Sequence, residues 1–219
     1  CAAVVGEVFE DRLLEAVSGL PNVRAALVRL EARGMVRRTA KPHQWQFNHS
    51  LIETAVYETL LKVRRKALHL KVAETLEGHW AGAEAAHAET LAYHFAQADE
   101  GGKALIYLTL AAEQAASRYA NEEALIYFQQ AVQRLSSQPE AEAGLRWRIA
   151  VGLGDVHRFV GEYGESRAAL EAVLPLLDGP SLTRIHKAGL HRRLGETAQK
   201  QGDFESSLQS FTTALTYLD

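Results

Sequence analysis

Apolar residues near the start of the chain recur with the period of a helix, in two successive sets. The first set ends at Ser18-Gly19 and consists of Phe9, Leu13, Leu14 and Val17. The second set follows Pro21-Asn22, ends before Gly34, and consists of Val23, Ala26, Leu27 and Leu30. Proline at a helix start and glycine just past a helix end are common boundary residues. The pattern therefore predicts two short helices joined by a tight turn, a helix-turn-helix.

Alternation of apolar and polar residues follows the second helix. Met35 to Thr39 and Gln44 to Asn48 have this strand pattern, and Lys41-Pro42-His43 supplies a turn between them. We therefore expect a β-hairpin of the wing type. Two helices followed by such a hairpin stand in the order of a winged-helix domain.

Helical spacing returns from Ser50 to about Trp80, which predicts one long amphipathic helix. Its apolar stripe contains Leu51, Ile52, Ala55, Val56, Leu60 and Leu61. Ser50 and Glu53 have the S-x-x-E spacing with which two side chains cap the first turn of a helix. His49 then lies just before the helix. Small residues at Ala81-Gly82 end the segment, and we place a domain boundary there, between residues 1–80 and 81–219.

The second region contains an internal repeat, which outweighs local propensity in predicting a fold. LGDVHRFVGEYGESRAALEAVL begins at Leu153, and LGETAQKQGDFESSLQSFTTAL begins at Leu194, 41 residues later. The matched pairs include Gly154/Gly195, Gly161/Gly202, Tyr163/Phe204, Ser166/Ser207, Leu170/Phe211 and Val173/Ala214. A weaker third copy lies 42 residues before the segment that begins at Leu153, and it has Tyr119 in place of the turn glycine. The order of small and bulky residues resembles that of tetratricopeptide helix pairs, in which small residues let helices approach and bulky ones fill the gaps.

The repeat exceeds the usual ~34 residues of this class, so we expect long first helices over Glu140 to Val160 and Ser181 to Gln201. Glu84 to Ala98 is predicted to form one leading helix, which ends before a turn at Gly101-Gly102. The predicted fold class is all-α with a small β-hairpin wing: a winged helix-turn-helix, then an α-α superhelical array of about three extended helix pairs. We expect the native chain to continue beyond both ends.

Composition is that of a globular protein, with 47% hydrophobic and 23% charged residues. No apolar run approaches ~18 residues, so no membrane span is predicted. A single cysteine, Cys1, excludes an intramolecular disulfide framework and suits a cytoplasmic location. Residues 1–80 carry 12 Lys and Arg against 9 Asp and Glu, a net charge of +3. This modest value disfavours a nucleic-acid partner.

The run WQFNHSLIETAVYETLLKVRRKALHLK, from Trp45 to Lys71, joins the predicted wing to the long helix. Its pattern F-x-H-x-L-I-x-x-x-x-Y-x-x-L-L-x-x-x-R-R-x-x-L-H resembles the winged-helix region of STAND-class signalling NTPases. The likeness is greatest to the bacterial ones that carry tetratricopeptide repeats and are fused to nucleotide cyclase, protein kinase or LuxR-type output domains. The resemblance implies a regulatory and sensor region whose NTPase domain lies elsewhere in the parent protein.

By this resemblance, His49 approaches the β-phosphate of ADP held by the parent's own NTPase domain and helps to hold the off state. The repeats would bind a protein or small-molecule signal, and release would permit nucleotide exchange and oligomerisation. No cofactor is expected in this region itself; ATP and ADP are implied for the parent. The residues alone leave an alternative, in which His49 is a polar neighbour of the helix start that fills the junction.

Two other functions remain open. A DNA-binding regulator would use the second helix and the wing, through the outward residues Arg24, Arg29, Arg33, Arg37 and Arg38. Against it, Glu31 lies among these arginines, and Lys62 to Lys66 lie on another helix, so we expect no single basic face. A passive interaction scaffold is the other alternative, with the winged helix as a cap.

The repeats offer a candidate partner-binding face on their first helices, where such arrays hold partners on a concave surface. Its predicted residues are Arg146, Arg158, His186, Arg193 and Lys200.

Enzyme chemistry is not predicted. No G-x-x-x-x-G-K-[ST] phosphate loop occurs, so this region is not expected to hydrolyse ATP alone. The nine histidines include no i, i+4 pair with a supporting carboxylate, so no metal site is predicted. No strained nucleophile turn is recognisable either.

Overall fold

A computed structural model describes residues 1–138, 141–179 and 182–218. Its contacts divide the chain into two compact units, Cys1–Ala104 and Leu105–Asp219. The strands are β1 (Val8–Glu10), β2 (Val36–Arg38) and β3 (Gln44–Phe47). The helices of the first part are α1 (Ala2–Val5), α2 (Asp11–Ser18), α3 (Val23–Ala32), α4 (Ser50–Thr59), α5 (Lys62–His79) and α6 (Ala88–Gln97). The remaining helices are α7 (Gly101–Ser117), α8 (Asn121–Leu135), α9 (Ala143–Val160), α10 (Tyr163–Glu171), α11 (Arg184–Gln201) and α12 (Phe204–Thr216).

The division into units falls within α7, after Ala104, and not near Gly82. The predicted partition into a winged-helix domain ending at residue 80 and a repeat domain beginning at residue 81 stays a prediction. The mostly helical character with a small sheet is confirmed.

The two predicted helices of the first unit are present as α2 and α3. Gly19 ends α2 in the left-handed conformation, with φ 65°, and its N–H donates to the Glu15 carbonyl. Asn22 precedes α3, and its side-chain oxygen accepts a hydrogen bond from the Ala25 N–H at 3.1 Å. The boundary residues Gly19 and Asn22 therefore predicted the end of α2 and the start of α3.

The predicted hairpin is confirmed, but it belongs to a sheet of three antiparallel strands in the order β1-β3-β2. The additional strand, β1, contains Phe9, which pairs with Trp45 of β3. The prediction that Phe9 belongs to the first helix was therefore wrong. Its ring packs edge-on against Phe47, at a centroid distance of 5.4 Å, so the core contact and not the local helical spacing decides its place. Around it the buried core contains Ala3, Leu14, Val23, Leu27, Val36 and Trp45.

The predicted single helix from Ser50 to Trp80 is two helices, α4 and α5, separated by Leu60 and Leu61. Leu60 has φ −76° and ψ 130°, outside the helical region, and its carbonyl accepts a hydrogen bond from Arg65 Nε at 3.0 Å. The predicted cap also fails: His49 is the N-cap residue, and no side-chain hydrogen bond caps the helix. Nor is the apolar stripe buried, because Leu51 and Leu61 are each 79% exposed.

Helix α5 packs against α6 to form the second part of the unit's core. The fully buried apolar residues of these two helices include Val72, Ala73, Leu91 and Phe95. The predicted leading helix is present as a 3-10 turn over Glu84–His87 followed by α6. The predicted turn at Gly101-Gly102 is wrong, because both glycines lie in the first turn of α7.

In the second unit α9 packs against α10 and α11 packs against α12, at the positions of the two aligned segments. Gly161 and Gly202 end their helices with φ of 87° and 80°, and Tyr119 adopts φ 60° at the equivalent place. At each turn the N–H of the following residue bonds to the carbonyl five positions earlier, as in Glu162 to His157 and Ala120 to Ala115. The repeat therefore conserves the turn geometry even where glycine is replaced by tyrosine.

Small residues allow close helix approach in these pairs, as predicted. A Cβ on Gly154 would lie 2.8 Å from Leu170, and one on Gly195 would lie 2.8 Å from Phe211. The first helices begin at Ala143 and Arg184; the predicted starts, Glu140 and Ser181, lie outside the described residues.

Candidate functional site

His49 lies at the junction of β3 and α4. Phe47 anchors the end of the strand in the core, and the Asn48 amide donates to the Gly34 carbonyl at 2.6 Å. The chain then turns into α4, and the His49 carbonyl accepts from the Ile52 N–H at 3.0 Å. The His49 side chain is exposed, and among the residues that the structure describes it makes no hydrogen bond, ion pair or ring contact.

This placement matters for what His49 can do chemically. A neutral imidazole offers one N–H donor and one acceptor, and here both are available to solvent or to another group. The ring neither caps α4 nor fills a gap in the core.

The five arginines of the predicted DNA-binding surface are all exposed. The Arg37 guanidinium donates to Gln46 Oε1 at 3.2 Å. Arg38 has two intramolecular partners: its Nε is 3.4 Å from Glu31 Oε2, and its guanidinium lies 5.0 Å from the centre of the Trp45 ring. Glu31 thus offsets one positive charge on this surface, as the sequence indicated.

A cleft of about 350 Å³ nevertheless collects several basic groups between α3 and the hairpin. Arg24, Arg38 and Lys41 line it, and we call it the basic cleft. Asp11 also lines it; this buried carboxylate lies 3.2 Å from His43 Nδ1. The expectation that no single face gathers the positive charge stays a prediction, because Asp11 lines this cleft and Glu31 pairs with Arg38.

The predicted partner-binding residues of the repeats are placed on α9 and α11, and two of them share one carboxylate. Asp155 accepts from Arg158 at 3.0 Å and from Arg193 Nε at 2.9 Å. Arg158 also lies 3.5 Å from Glu196, so α9 and α11 are joined by two ion pairs. These guanidinium groups are therefore largely engaged within the chain, and the Arg158 Nε is buried.

The other three residues differ in their surroundings. Arg146 donates to the carbonyls of Ala141 and Gln138. His186 Nδ1 lies 2.8 Å from Thr183 Oγ1 at the start of α11, and its ring packs edge-on against Trp147. Lys200 is exposed near the end of α11.

A further ion pair joins α7 and α9, with two of the three guanidinium nitrogens of Arg148 engaged. Arg148 Nε lies 2.8 Å and its terminal nitrogen 2.6 Å from the two oxygens of Glu113. The hydrogen bond to Glu113 raises the pKa of Arg148. Such bidentate pairs are geometrically specific, so this contact fixes the register of the two helices.

A buried cluster of polar rings, which the sequence did not indicate, lies in the first unit. His69 of α5 and His94 of α6 are almost completely buried, and their Nδ1 atoms are 2.9 Å apart. The Tyr57 hydroxyl of α4 lies 3.0 Å from His69 Nε2. Tyr93 packs edge-on against both imidazoles. We call Tyr57, His69 and His94 the histidine chain.

Burial keeps these imidazoles neutral. It lowers the pKa of His69 to about 4, with the positive charge of Arg65 acting in the same direction. Burial also lowers the pKa of His94 to about 4, with His69 as the second cause. No spacing could have revealed the pair, because the two histidines are 25 residues apart on different helices.

Within the described ranges, no group of three or more histidine, cysteine, aspartate or glutamate side chains is arranged to hold a metal ion. No helix in those ranges has the length and apolar character needed to cross a bilayer. Comparison of the chain with protein-family models and with curated proteins found no match.

Proposed function

We propose that this chain is the regulatory and sensor region of a STAND-type signalling ATPase. Its winged helix would hold the ADP-bound off state through His49, and its repeats would bind a protein or small-molecule signal. The observation that carries the proposal is the placement of His49. This ring is exposed at the strand-helix junction and has no polar contact among the described residues.

That placement weighs against the structural alternative for His49. A histidine that served to fill the junction would be buried or would cap α4, and His49 does neither. An unpaired imidazole N–H is suited to donate to a phosphate oxygen, and protonation would strengthen the bond. The ADP itself would be held by the NTPase domain of the parent, so His49 is half of a site.

The surface of α4 is consistent with a contact to another domain. None of its side chains is buried, and its apolar residues Leu51 and Val56 are exposed. A solvent-exposed apolar helix face beside a polar group is typical of an interface. In the proposal this face meets the NTPase domain in the off state.

The repeats supply the sensor in this proposal. A ligand that prefers the open state by a few kcal/mol would shift the balance toward nucleotide exchange and oligomerisation. Arg158 and Arg193 already form ion pairs between α9 and α11. We therefore expect these two arginines to take part in signal binding only while α9 and α11 stay packed together. The proposed location is the cytoplasm, where ATP is available.

The decisive experiment replaces His49 with leucine in the full-length parent. We expect faster ADP release and higher basal output, because the phosphate loses a donor. His49→Gln keeps an N–H donor without the charge. Its rate of ADP release and its basal output should lie between those of the unmodified parent and those of His49→Leu. Thermal melting of the present chain is the control: because the exposed His49 side chain has no hydrogen bond, ion pair or ring contact among the described residues, His49→Leu should leave the melting temperature unchanged.

Unchanged ADP retention and output in His49→Leu would contradict the clamp and favour a passive scaffold. A parent without a phosphate loop upstream of Cys1 would remove the proposal altogether.

DNA binding is the second candidate function, and the basic cleft is the observation that favours it. Arg24, Arg38 and Lys41 line that cleft together on the face formed by α3 and the hairpin. Winged helices commonly place such a face on a DNA backbone.

A further inference from the structure

A second cleft in the first unit, separate from His49, has the size of a small-ligand site. It occupies about 620 Å³ between β1 and α2 on one side and α5 and α6 on the other. Phe9, Leu13 and Leu76 contribute apolar surface from both sides. Trp80 lines it as well, and its ring is stacked on His87 with centroids 3.9 Å apart. Polar side chains make up about half of its lining, and concave sites of this volume are the usual form of small-molecule sites.

His94 is the buried polar group of this cleft. It is 2% exposed, it lines the cleft, and its Nδ1 is bonded to His69. Its Nε2 has no hydrogen-bond partner among the described residues. Because His94 lines the cleft and its Nδ1 is already engaged with His69, the Nε2 is the ring nitrogen that remains for a molecule in the cleft.

The histidine chain determines what Nε2 offers. If Tyr57 donates its O–H to His69 Nε2, then His69 Nδ1–H donates to His94 Nδ1, and His94 presents an Nε2–H donor. If both hydrogen bonds run the other way, His94 Nδ1–H donates to His69 Nδ1 and His69 Nε2–H donates to the Tyr57 oxygen. His94 Nε2 is then an acceptor. A neutral imidazole has one donor and one acceptor, so the three groups reverse together. The ligand in the cleft therefore selects the tautomer of two histidines and the orientation of the Tyr57 hydroxyl.

We propose that this cleft, the His94 cleft, binds a small organic monocarboxylate with an apolar body, whose carboxylate accepts a hydrogen bond from His94 Nε2–H. The apolar body packs against Phe9, Leu13 and Leu76. This inference does not depend on the proposed role of His49.

The charged groups of the cleft favour a ligand that carries a single carboxylate group. Arg12 lines the cleft, and its guanidinium has no ion pair or hydrogen bond within the described part of the chain. It supplies a cation for the ligand. Glu10 lies in the same cleft and would repel a second acidic group. The histidines stay neutral near pH 7, since burial lowers both pKa values to about 4, so His94 contributes a hydrogen bond and no charge.

Binding would also reach α4. The Tyr57 hydroxyl is the far end of the histidine chain, and the Arg65 guanidinium lies 5.0 Å from the centre of its ring. Arg65 in turn bonds the Leu60 carbonyl at the break between α4 and α5. A ligand in the His94 cleft therefore sets the direction of the hydrogen bond between Tyr57 of α4 and His69 of α5.

Calorimetric titration of the whole chain tests the binding. The probes are three monocarboxylates of different length, 3-phenylpropionate, indole-3-acetate and decanoate, with 3-phenylpropionamide as the uncharged control. We expect at least one carboxylate to bind with a Kd below about 1 mM, and the amide to bind at least tenfold more weakly than its acid.

Two kinds of variant locate the site. Ala16→Trp places an indole into the His94 cleft from an exposed position of α2, so binding should be lost without loss of folding. Glu15→Trp adds the same ring at the neighbouring exposed position, which does not line the cleft, and should bind normally. His94→Phe should weaken binding at least tenfold, with folding checked by circular dichroism.

Imidazole ¹⁵N chemical shifts test the histidine chain directly. Saturation with a carboxylate should convert His94 and His69 to single tautomers, with the proton on Nε2 of His94 and on Nδ1 of His69. Absence of binding by every carboxylate below about 1 mM would overturn the proposal, as would equal binding by Ala16→Trp. Carboxylate binding to a chain whose His94 Nε2 carries no proton would overturn the role of His94.

Discussion

Single residues decide how closely the helices of the second unit approach. Gly152 of α9 faces Phe128 of α8, and a Cβ on this glycine would lie 2.2 Å from the phenyl ring. Phe128 is completely buried, so its ring has no free space into which to move. Glycine is required here because the Phe128 ring occupies the space that a Cβ would need. The backbone conformation of Gly152 is helical and does not itself require glycine.

Gly152→Ala should therefore destabilise the protein by about 1–3 kcal/mol, the usual cost of overpacking a core. Chemical denaturation would measure the free energy of unfolding. Gly164→Ala is the matched control, because it lies in α10 and a Cβ there would have no neighbour within 4 Å. Alanine is the better helix former by ~0.5–1 kcal/mol, so the control should be neutral or more stable. Equal stability of Gly152→Ala and the natural chain would refute the packing argument.

His69 and His94 make stability depend on pH. Their pKa values are lowered to about 4 in the folded chain from 6.5. Between these values the unfolded chain binds protons that the folded chain does not, so stability is fully present above pH 6.5 and decreases as the pH falls toward 4.

We expect the slope of unfolding free energy against pH, between pH 5 and 6.5, to contain up to about 1.4 kcal/mol per pH unit from each of these histidines. The double variant His69→Gln and His94→Gln should lose that part of the slope. Urea denaturation across this range is the measurement, with an unchanged m-value as the check on two-state unfolding. An identical slope in the double variant would show that these imidazoles do not remain neutral in the folded chain.

At the scale of elements, turns between paired helices repeat one geometry with different residues. Gly161, Gly202 and Tyr119 all have positive φ, and the hydrogen bonds that close the three turns are equivalent. A non-glycine residue in this region costs roughly 1–2 kcal/mol because its Cβ approaches the following carbonyl. Tyr119 is 78% exposed, so packing does not offset this cost.

Tyr119→Gly should stabilise the chain by up to about 1 kcal/mol, since relief of strain exceeds the entropy that glycine loses on folding. The reverse change at an equivalent turn, Gly202→Ala, should destabilise it by about 1 kcal/mol. Both are measured by thermal melting under the same conditions. A lower melting temperature for Tyr119→Gly would mean that the tyrosine ring stabilises the turn in a way that its exposure does not suggest.

Over the whole molecule, the distribution of charge depends on where the units divide. Residues 1–80 have a net charge of +3, but residues 1–104 have thirteen Lys and Arg against thirteen Asp and Glu, a net charge of zero. Acidic residues such as Glu84 and Asp99 belong to the same compact unit as the arginines of α3. The long-range field of this unit is therefore weaker than the sequence boundary suggested.

We accordingly expect weak DNA binding by the chain, detectable at 50 mM salt at most and absent at 200 mM. Fluorescence anisotropy with a labelled duplex is the measurement. The double variant Arg24→Ala and Arg29→Ala should change little, and Lys200→Ala serves as a control outside the first unit. Tight binding at 200 mM salt that the arginine variant abolishes would favour the DNA-binding alternative over the clamp.

Much of the secondary structure was predictable because its signals are local. The hairpin and the end of α2 at Gly19 each follow from residue types within a few positions of one another. His49 was likewise predictable as the residue between β3 and α4. Its exposure was not, because exposure depends on what the rest of the chain covers.

The sequence by itself determined several boundaries, such as the end of α2 and the hairpin strands, since backbone conformation responds to neighbouring side chains. Only the tertiary structure decided which distant groups meet. It paired β1 with β3 and so removed Phe9 from the helical pattern, broke the helix at Leu60, and placed His69 against His94. These outcomes depend on burial and on hydrogen bonds between segments far apart in the chain, and no local spacing encodes them.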